Sequence, residues 1–386
     1  MKILQIVQTL DPRTGGVARA VLAMSGVLAD RGEEVEIVAL DEPAAPWLRD
    51  LRVNVHGLGV GLTSYRYSRK LLPWLRQHAA RFDCVIVNGL WQYLSFASWR
   101  AFADTPIPYF VYPHGMLDPW FKTTFPFKHL KKWLYWPWSD YRLLRDARAV
   151  IFTSDEERRE ARKSFWLYRC RERVATLGIE PSVQERNAAR ELFLNAHALL
   201  RGQRFILFLG RIHPKKGCDL LVDALAANTV NDRSLHVVIA GPDQVGWQAE
   251  LQSRAERYGI HKRVCFVGML EGAMKTGAFA AAGAFILPSH QENFGLSVVE
   301  ALAAGVPVLV SNRVNIWREI VEDDAGYVES DDGIGTARLI QRWLATPEER
   351  RLSMRRNARA SFERRFTADR AADALLAVLR ETTPEG

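Results

Sequence analysis

Short runs of β-branched and aliphatic residues alternate with helical patterns along nearly the whole chain, and this alternation constrains the fold more than any other feature. Ile3–Val7 reads as a buried strand leading through Asp11-Pro12-Arg13-Thr14-Gly15-Gly16 into a helix. Within that helix Val17, Ala20, Val21, Met24, Val27 and Leu28 recur at three- and four-residue spacing. Gly32 ends it, and Val35–Leu40 is the next strand. Further strands are predicted at Val53–His56, Cys84–Val87, Tyr109–Tyr112, Val150–Thr153 and Val174–Leu177. From about Ile179 to Asn195 the rhythm lapses around Pro181, which places a linker there. A second series follows, with strands expected at Phe205–Leu209, Leu235–Ala240, Val264–Val267, Phe285–Leu287, Val306–Val310 and Tyr327–Val328. Helical patterns cover Leu220–Ala227, Gly246–Tyr258, Leu296–Ala304 and Ile334–Leu344, and Phe366–Glu381 is a last amphipathic helix. Strands alternating with helices form βαβ units. The fold class is therefore α/β, with two Rossmann-like doubly wound domains at residues 1–185 and 196–365. Such sheets bind ligands beyond the carboxyl ends of their strands, so a ligand is expected in a cleft that both domains face.

Composition narrows the class further. Hydrophobic residues at 48% and charged residues at 25% exclude a disordered chain. Cys84, Cys170, Cys218 and Cys265 are too widely spaced for a disulfide framework, which suits a reducing compartment. The N-terminus has Gln, Thr and Asp where a secretory signal needs an apolar run, and no stretch of about 18 uncharged apolar residues occurs. The expectation is a cytoplasmic protein. The net charge of +8 is concentrated between Lys122 and Arg173, where 14 Lys and Arg face 7 Asp and Glu. A basic segment of this kind suggests phosphate, nucleic acid or an anionic lipid surface as partner.

Two motifs in the second half bear on chemistry. Leu209-Gly210-Arg211-Ile212-His213-Pro214-Lys215-Lys216-Gly217 lies between a predicted strand and a predicted helix. Arg211 and Lys216 would converge near a helix N-terminus, where backbone N–H groups already favour an anion. A forked guanidinium and a compact ammonium together suit a diphosphate. Alone, the stretch reads more readily as a solvated basic loop. Pro288-Ser289-His290-Gln291-Glu292-Asn293-Phe294-Gly295-Leu296-Ser297-Val298-Val299-Glu300-Ala301 is a strand end, a polar turn and a helix start. Its Asn293, Phe294, Gly295 and Leu296 would turn their N–H groups toward the ligand. Glu300, on a helix face between Val299 and Leu302, needs a polar partner, and a ribose diol is a natural one. A helix-terminal acid beside a surface acid is the plainer alternative.

Taken together, Gly210-Arg211, Lys215-Lys216-Gly217, Ile239-Ala240-Gly241, Phe266-Val267-Gly268, Glu292, Glu300 and Ala301–Pro307 resemble the retaining family-4 glycosyltransferases of the two-domain GT-B fold, of the bacterial polysaccharide type. The likeness covers most of the chain at fold level, and its specific motifs lie in residues 205–312. It implies metal-independent transfer of a sugar from a nucleotide-sugar donor, with no cofactor. It further implies that Arg211 and Lys216 hold the donor diphosphate, Glu300 the ribose and Glu292 the transferred sugar. In that family a histidine at the matching strand end contacts the donor sugar, which here is His114 of Tyr112-Pro113-His114-Gly115-Met116; a structural histidine in a Pro-Gly turn is the alternative. Asp118 lies close enough in sequence to orient His114 or an acceptor. Gly15 and Gly16 open the first helix, where N–H groups would complete a phosphate site or meet the acceptor. Asp41 falls near where a ribose-binding acid would stand. The resemblance also implies that the last helix crosses back to the first domain.

The segment Trp120–Tyr141 packs nine aromatics (Trp120, Phe121, Phe125, Phe127, Trp133, Tyr135, Trp136, Trp138, Tyr141) among Lys122, Lys128, Lys131 and Lys132. Interleaved aromatic and basic residues suit a membrane interface, stacking on nucleic acid, or internal packing. The expected partners are a nucleotide-sugar donor, a saccharide or lipid-linked acceptor and an anionic membrane surface, and not nucleic acid. Arg355-Arg356 and Arg364-Arg365 read as a solvated helix face. No D-x-D metal clamp, no P-loop and no zinc spacing occurs. A nucleotide-sugar epimerase or a phosphorylase would use the same fold and stays open as the alternative activity.

Overall fold

A computed structural model describes residues 1–120, 122, 126–228 and 234–382. The chain forms two compact units, Met1–Glu180 together with the segment from Phe366 onward, and Pro181–Arg365. The first unit holds strands β1 (Lys2–Val7), β2 (Glu34–Ala39), β3 (Asn54–Gly57), β4 (Cys84–Asn88), β5 (Tyr109–Tyr112), β6 (Ala149–Phe152) and β7 (Glu172–Val174). They make one parallel sheet in the order β3-β2-β1-β4-β5-β6-β7. The strands are apolar runs because both faces of a parallel sheet are covered. Successive residues point to opposite faces. Leu4, Ile6, Val85, Val87, Val111, Val150 and Phe152 therefore serve one core, and Ile3, Cys84, Ile86, Phe110 and Ile151 serve the other.

The second core is closed from two places in the chain. Met24, Val27 and Leu28 come from the helix Gly16–Asp30, and Ala371, Leu375 and Leu379 from the last helix, Ala368–Thr382. Arg31 joins the two helices by hydrogen-bonded ion pairs to Asp369 at 2.9 Å and Asp373 at 2.5 Å. The crossing-back of the last helix is thus present. Where the chain leaves and re-enters the unit, its two passes lie side by side. The Ile179 N–H donates to the Phe366 carbonyl at 3.0 Å, and the Ala368 N–H to the Ile179 carbonyl at 3.1 Å.

The second unit holds β8 (Arg204–Leu209), β9 (Leu235–Ala240), β10 (Val264–Gly268), β11 (Ala284–Leu287), β12 (Val308–Ser311) and β13 (Gly326–Glu329). These form a parallel sheet in the order β10-β9-β8-β11-β12-β13.

Three sequence expectations change. The stretch expected to be a linker contains a helix, Arg186–Ala196, whose N-terminal N–H of Asn187 bonds the Glu185 carboxylate at 2.8 Å. It belongs to the second unit, so the boundary falls at 180/181 and not at 185. Its buried residues are only Ala189, Phe193 and Leu194, too sparse to register as a periodic stripe. The last strand of the first sheet is Glu172–Val174, so Val174–Leu177 overshoots it. The arginine helix Glu348–Arg365 is not simply solvated. Arg364 and Arg365 both grip Asp323, whose side chain is 2% exposed, and Arg355 donates to the Ala282 carbonyl at 3.0 Å.

Candidate active site

In the second unit the strand order reverses beside β8, where β9 lies on one side and β11 on the other. Connections leaving β8 and β11 then depart in opposite directions, and a crevice opens at their carboxyl ends. The loop after β8 carries Arg211 and Lys216, and the loop after β11 carries Glu292. The two motifs picked from sequence are neighbours across this switch point.

Backbone contacts lock the two loops together. The His290 N–H and the Ser289 hydroxyl both donate to the Lys215 carbonyl, at 2.9 and 3.0 Å. The Glu292 N–H donates to the Arg313 carbonyl at 2.9 Å, and the Asn315 N–H to the Glu292 carbonyl at 3.0 Å. Two glycines allow this closeness. At Gly217, φ +69°, a Cβ would stand 2.2 Å from the Pro288 carbonyl oxygen. At Gly241, φ +143°, it would stand 1.8 Å from the Gly210 carbonyl oxygen, below any tolerable contact.

Lys216 donates to the Glu292 carboxylate. Burial pushes the Glu292 carboxyl upward, but Lys216 beside it, with Lys215 and Arg211 behind, holds it below the ordinary carboxylate range. Glu292 is therefore ionised at neutral pH. Arg211 is exposed and reaches Gln244 at 3.3 Å. Glu300, in the helix Leu296–Ala303, accepts from Lys275 Nζ at 2.7 Å. Lys275 stands on the helix Gly272–Ala281 and escaped the sequence reading. Only the sheet topology brings it to Glu300, and no local motif marks it. Gly295 caps the Glu300 helix in the left-handed conformation, Phe294 is buried, and Asn293 receives the Asn315 amide at 3.4 Å.

In the first unit the order reverses between β1 and β4. Gly15 and Gly16 stand at the start of the helix that follows β1, as expected. His114 follows β5 with φ +50° and lies flat against the Tyr112 ring, 5.4 Å between centroids. Its Nε2 lies 2.9 Å from Asn88 Oδ1. The Asn88 amide nitrogen donates to the Ile6 carbonyl and to Gln5 Oε1, at 3.3 and 2.8 Å. A carbonyl can only accept, so the Asn88 orientation is fixed and His114 Nε2 must carry the proton. Nδ1 is then the acceptor of the ring. Burial pushes the His114 pKa down to about 4, so the ring is neutral at physiological pH.

Asp118 accepts from the Trp120 N–H at 2.8 Å, and Asn88 orients His114 through Nε2. One sequence expectation fails here. Asp41 is buried and spent on Thr9 Oγ1 and the Leu10 N–H, at 2.5 and 2.7 Å, so it braces the loop after β1.

The aromatic segment divides. Trp136 is fully buried, stacked 4.3 Å from Phe165 and donating to the Leu167 carbonyl at 2.6 Å, so it is core and cannot meet a membrane. Trp133 and Trp138 are exposed. Phe121, Phe125 and the Lys128 side chain lie outside the described residues. Among the described residues no three His, Cys, Asp or Glu side chains gather as a metal site, and no helix is long and apolar enough to cross a membrane.

These two parallel-sheet units and their switch-point loops define a GT-B glycosyltransferase. Residues 190–361 match the model of glycosyl transferases group 1, and residues 15–178 that of a glycosyl transferase 4-like domain. The chain belongs to the family-4 glycosyltransferases. It is 25% identical, over 98% of its length and 96% of theirs, to the GDP-mannose-dependent alpha-(1-6)-phosphatidylinositol dimannoside mannosyltransferase of Mycobacterium tuberculosis. It is 29% identical over 195 residues to the D-inositol 3-phosphate glycosyltransferase of Gordonia bronchialis, a match spanning 48% of this chain and 42% of that protein. The fold is similar to that of Anabaena HepE in complex with UDP, with a TM-score of 0.80 and 19% identity over 99% of this chain and all of that one.

Proposed function

We propose that the protein transfers a sugar, with retention and without a metal, from a nucleoside-diphosphate sugar to a saccharide acceptor carried on a lipid, in surface polysaccharide synthesis at the cytoplasmic membrane face. The observation that carries the reading is Lys216 beside Glu292 at the switch point, with Arg211 on the same loop. Departure of the nucleoside diphosphate leaves two negative charges. Lys216, Arg211 and the N–H groups opening the Leu296–Ala303 helix stabilise that charge as it develops. Lys216 then exchanges Glu292 for the diphosphate, which frees the Glu292 carboxylate for a hydroxyl of the transferred sugar. Glu300 accepts from the ribose diol. His114, neutral and protonated at Nε2, offers Nδ1 to a sugar hydroxyl. The acceptor attacks on the face the diphosphate leaves, and a leaving-group oxygen takes its proton. Support for a lipid-linked acceptor comes from the phosphatidylinositol dimannoside in the name of the mycobacterial relative.

The test is a screen of UDP-, GDP-, ADP- and dTDP-sugars for thermal stabilisation, followed by turnover of the binding donor in excess chelator. The expected result is acceptor-dependent nucleotide release with the anomeric configuration kept, as read by NMR. Release that needs a divalent ion, or an inverted product, contradicts the reading.

A further inference from the structure

The helix Pro126–Tyr135 is mounted with its polar flank inward. His129, Lys132 and Tyr135 follow one another at three-residue spacing and face the first unit. His129 stacks on Phe165 at 4.9 Å, the Lys132 ammonium lies 4.4 Å from the Trp91 ring centroid, and the Tyr135 hydroxyl pairs with that of Tyr65. The other flank holds Phe127, Leu130, Trp133 and Leu134, which are 84, 56, 42 and 62% exposed. Trp138 and Trp166 are 67 and 65% exposed, and the Trp166 ring lies 6.0 Å from Trp133. A helix on a globular domain normally does the reverse, burying its apolar stripe and wetting its charges. An outward stripe of this size marks a surface that something apolar covers.

Its surroundings indicate what. Lys122 and Lys131 are exposed beside the stripe, within the segment that carries twice as many basic as acidic residues. A groove of about 470 Å³ runs between the helix and the Ser164–Trp166 turn, lined by Lys122, His129, Leu130, Trp133, Ser164 and Trp166. A second copy of the chain would set these lysines against their own images. Nucleic acid offers nothing to Leu130 and Leu134. A leaflet of anionic lipid satisfies both the stripe and the charge, with tryptophans at headgroup level.

We propose that the first unit docks on an anionic phospholipid bilayer through this inverted helix, with Phe127, Leu130, Trp133 and Leu134 at the acyl boundary and one lipid phosphate in the groove beside Lys122. The inference deepens the reading of a lipid-linked acceptor and rests on it for its biological use. Docking in this pose holds the domain at the surface where such an acceptor resides.

The test uses the full chain and vesicles of phosphatidylcholine with or without phosphatidylglycerol. Co-sedimentation is expected only with phosphatidylglycerol and should weaken as salt rises through the screening range. Leu130→Ser with Leu134→Ser, and separately Lys122→Glu with Lys131→Glu, should each lower partitioning by about tenfold or more. Both variants keep their melting temperature, since they alter exposed positions. Lipids brominated on the acyl chain should quench tryptophan fluorescence in the wild type, and Trp133→Phe with Trp166→Phe should remove most of that quenching. A wild type that ignores phosphatidylglycerol vesicles at low salt overturns the proposal. So does a dimer, seen by sedimentation equilibrium, that the double Leu→Ser variant dissolves. Sugar transfer to a soluble acceptor is read separately, so a wild type that transfers sugar yet ignores vesicles overturns the docking alone.

Discussion

Lys216 and Glu292 satisfy each other, and in the proposed reaction a donor would part them, so their substitutions have unequal consequences. Lys216→Ala removes the cation proposed to meet the leaving group and leaves only Lys215 and Arg211 to oppose the burial of Glu292, so its carboxyl shifts upward. Turnover should fall at least about a hundredfold, as it should for Arg211→Ala, while steady-state kinetics and a thermal melt confirm an intact fold. Lys275 makes a gentler case. Lys275→Met leaves Glu300 without its partner, and donor affinity measured by calorimetry should drop by roughly tenfold, the scale of one charged hydrogen bond. His114 carries a pH signature. Its folded pKa of about 4 lies below the ordinary 6.5, so the neutral form is favoured in the fold. Its stabilisation is complete above about pH 6.5 and is lost as the pH falls toward 4, a span of about 1–3 kcal/mol. Urea denaturation at stepped pH should show this slope, and His114→Gln should flatten it.

At the scale of elements, the site depends on two loops that share backbone contacts. Gly241→Ala would drive a Cβ into the Gly210 carbonyl from a backbone angle that side chains rarely adopt. It should cost about 2–4 kcal/mol and displace the Arg211 loop, so donor binding should weaken along with stability, as a melt with and without nucleotide will show. Elements were also what the sequence showed best. Both sheets, with seven and six strands, were legible because parallel strands buried on both faces must be continuous apolar runs. The Arg186–Ala196 helix was not legible, because three buried residues do not make a stripe. Of the site, Lys216, Glu292 and Glu300 stood in motifs, whereas Lys275 and Asn88 act on partners far off in sequence. Nothing local separates the buried Trp136 from the exposed Trp133, since at three-residue spacing they would share one helix face; Trp136 instead begins the 3-10 turn Trp136–Trp138 that follows the helix, and there it is buried.

The first unit is assembled from both ends of the chain. Leu375 and Leu379 are completely buried against Ile3, Leu28, Ile86 and Phe110. Leu375→Ala should therefore destabilise that unit by about 2–5 kcal/mol, although the residue lies nearly 200 positions beyond the rest of its core. Nucleotide binding by the second unit should survive at temperatures where the first has melted, and calorimetry with and without donor will separate the two transitions. Vectorial synthesis gives this arrangement an unusual order. Residues 181–365 emerge as one uninterrupted stretch and can complete their sheet while the ribosome is still translating. The unit that begins at Met1 must wait, with the face formed by Ile3, Ile86 and Phe110 uncovered, until the final helix is released. The half made first is thus the half finished last, and a nascent chain arrested before Phe366 should be cut by protease within its first 180 residues.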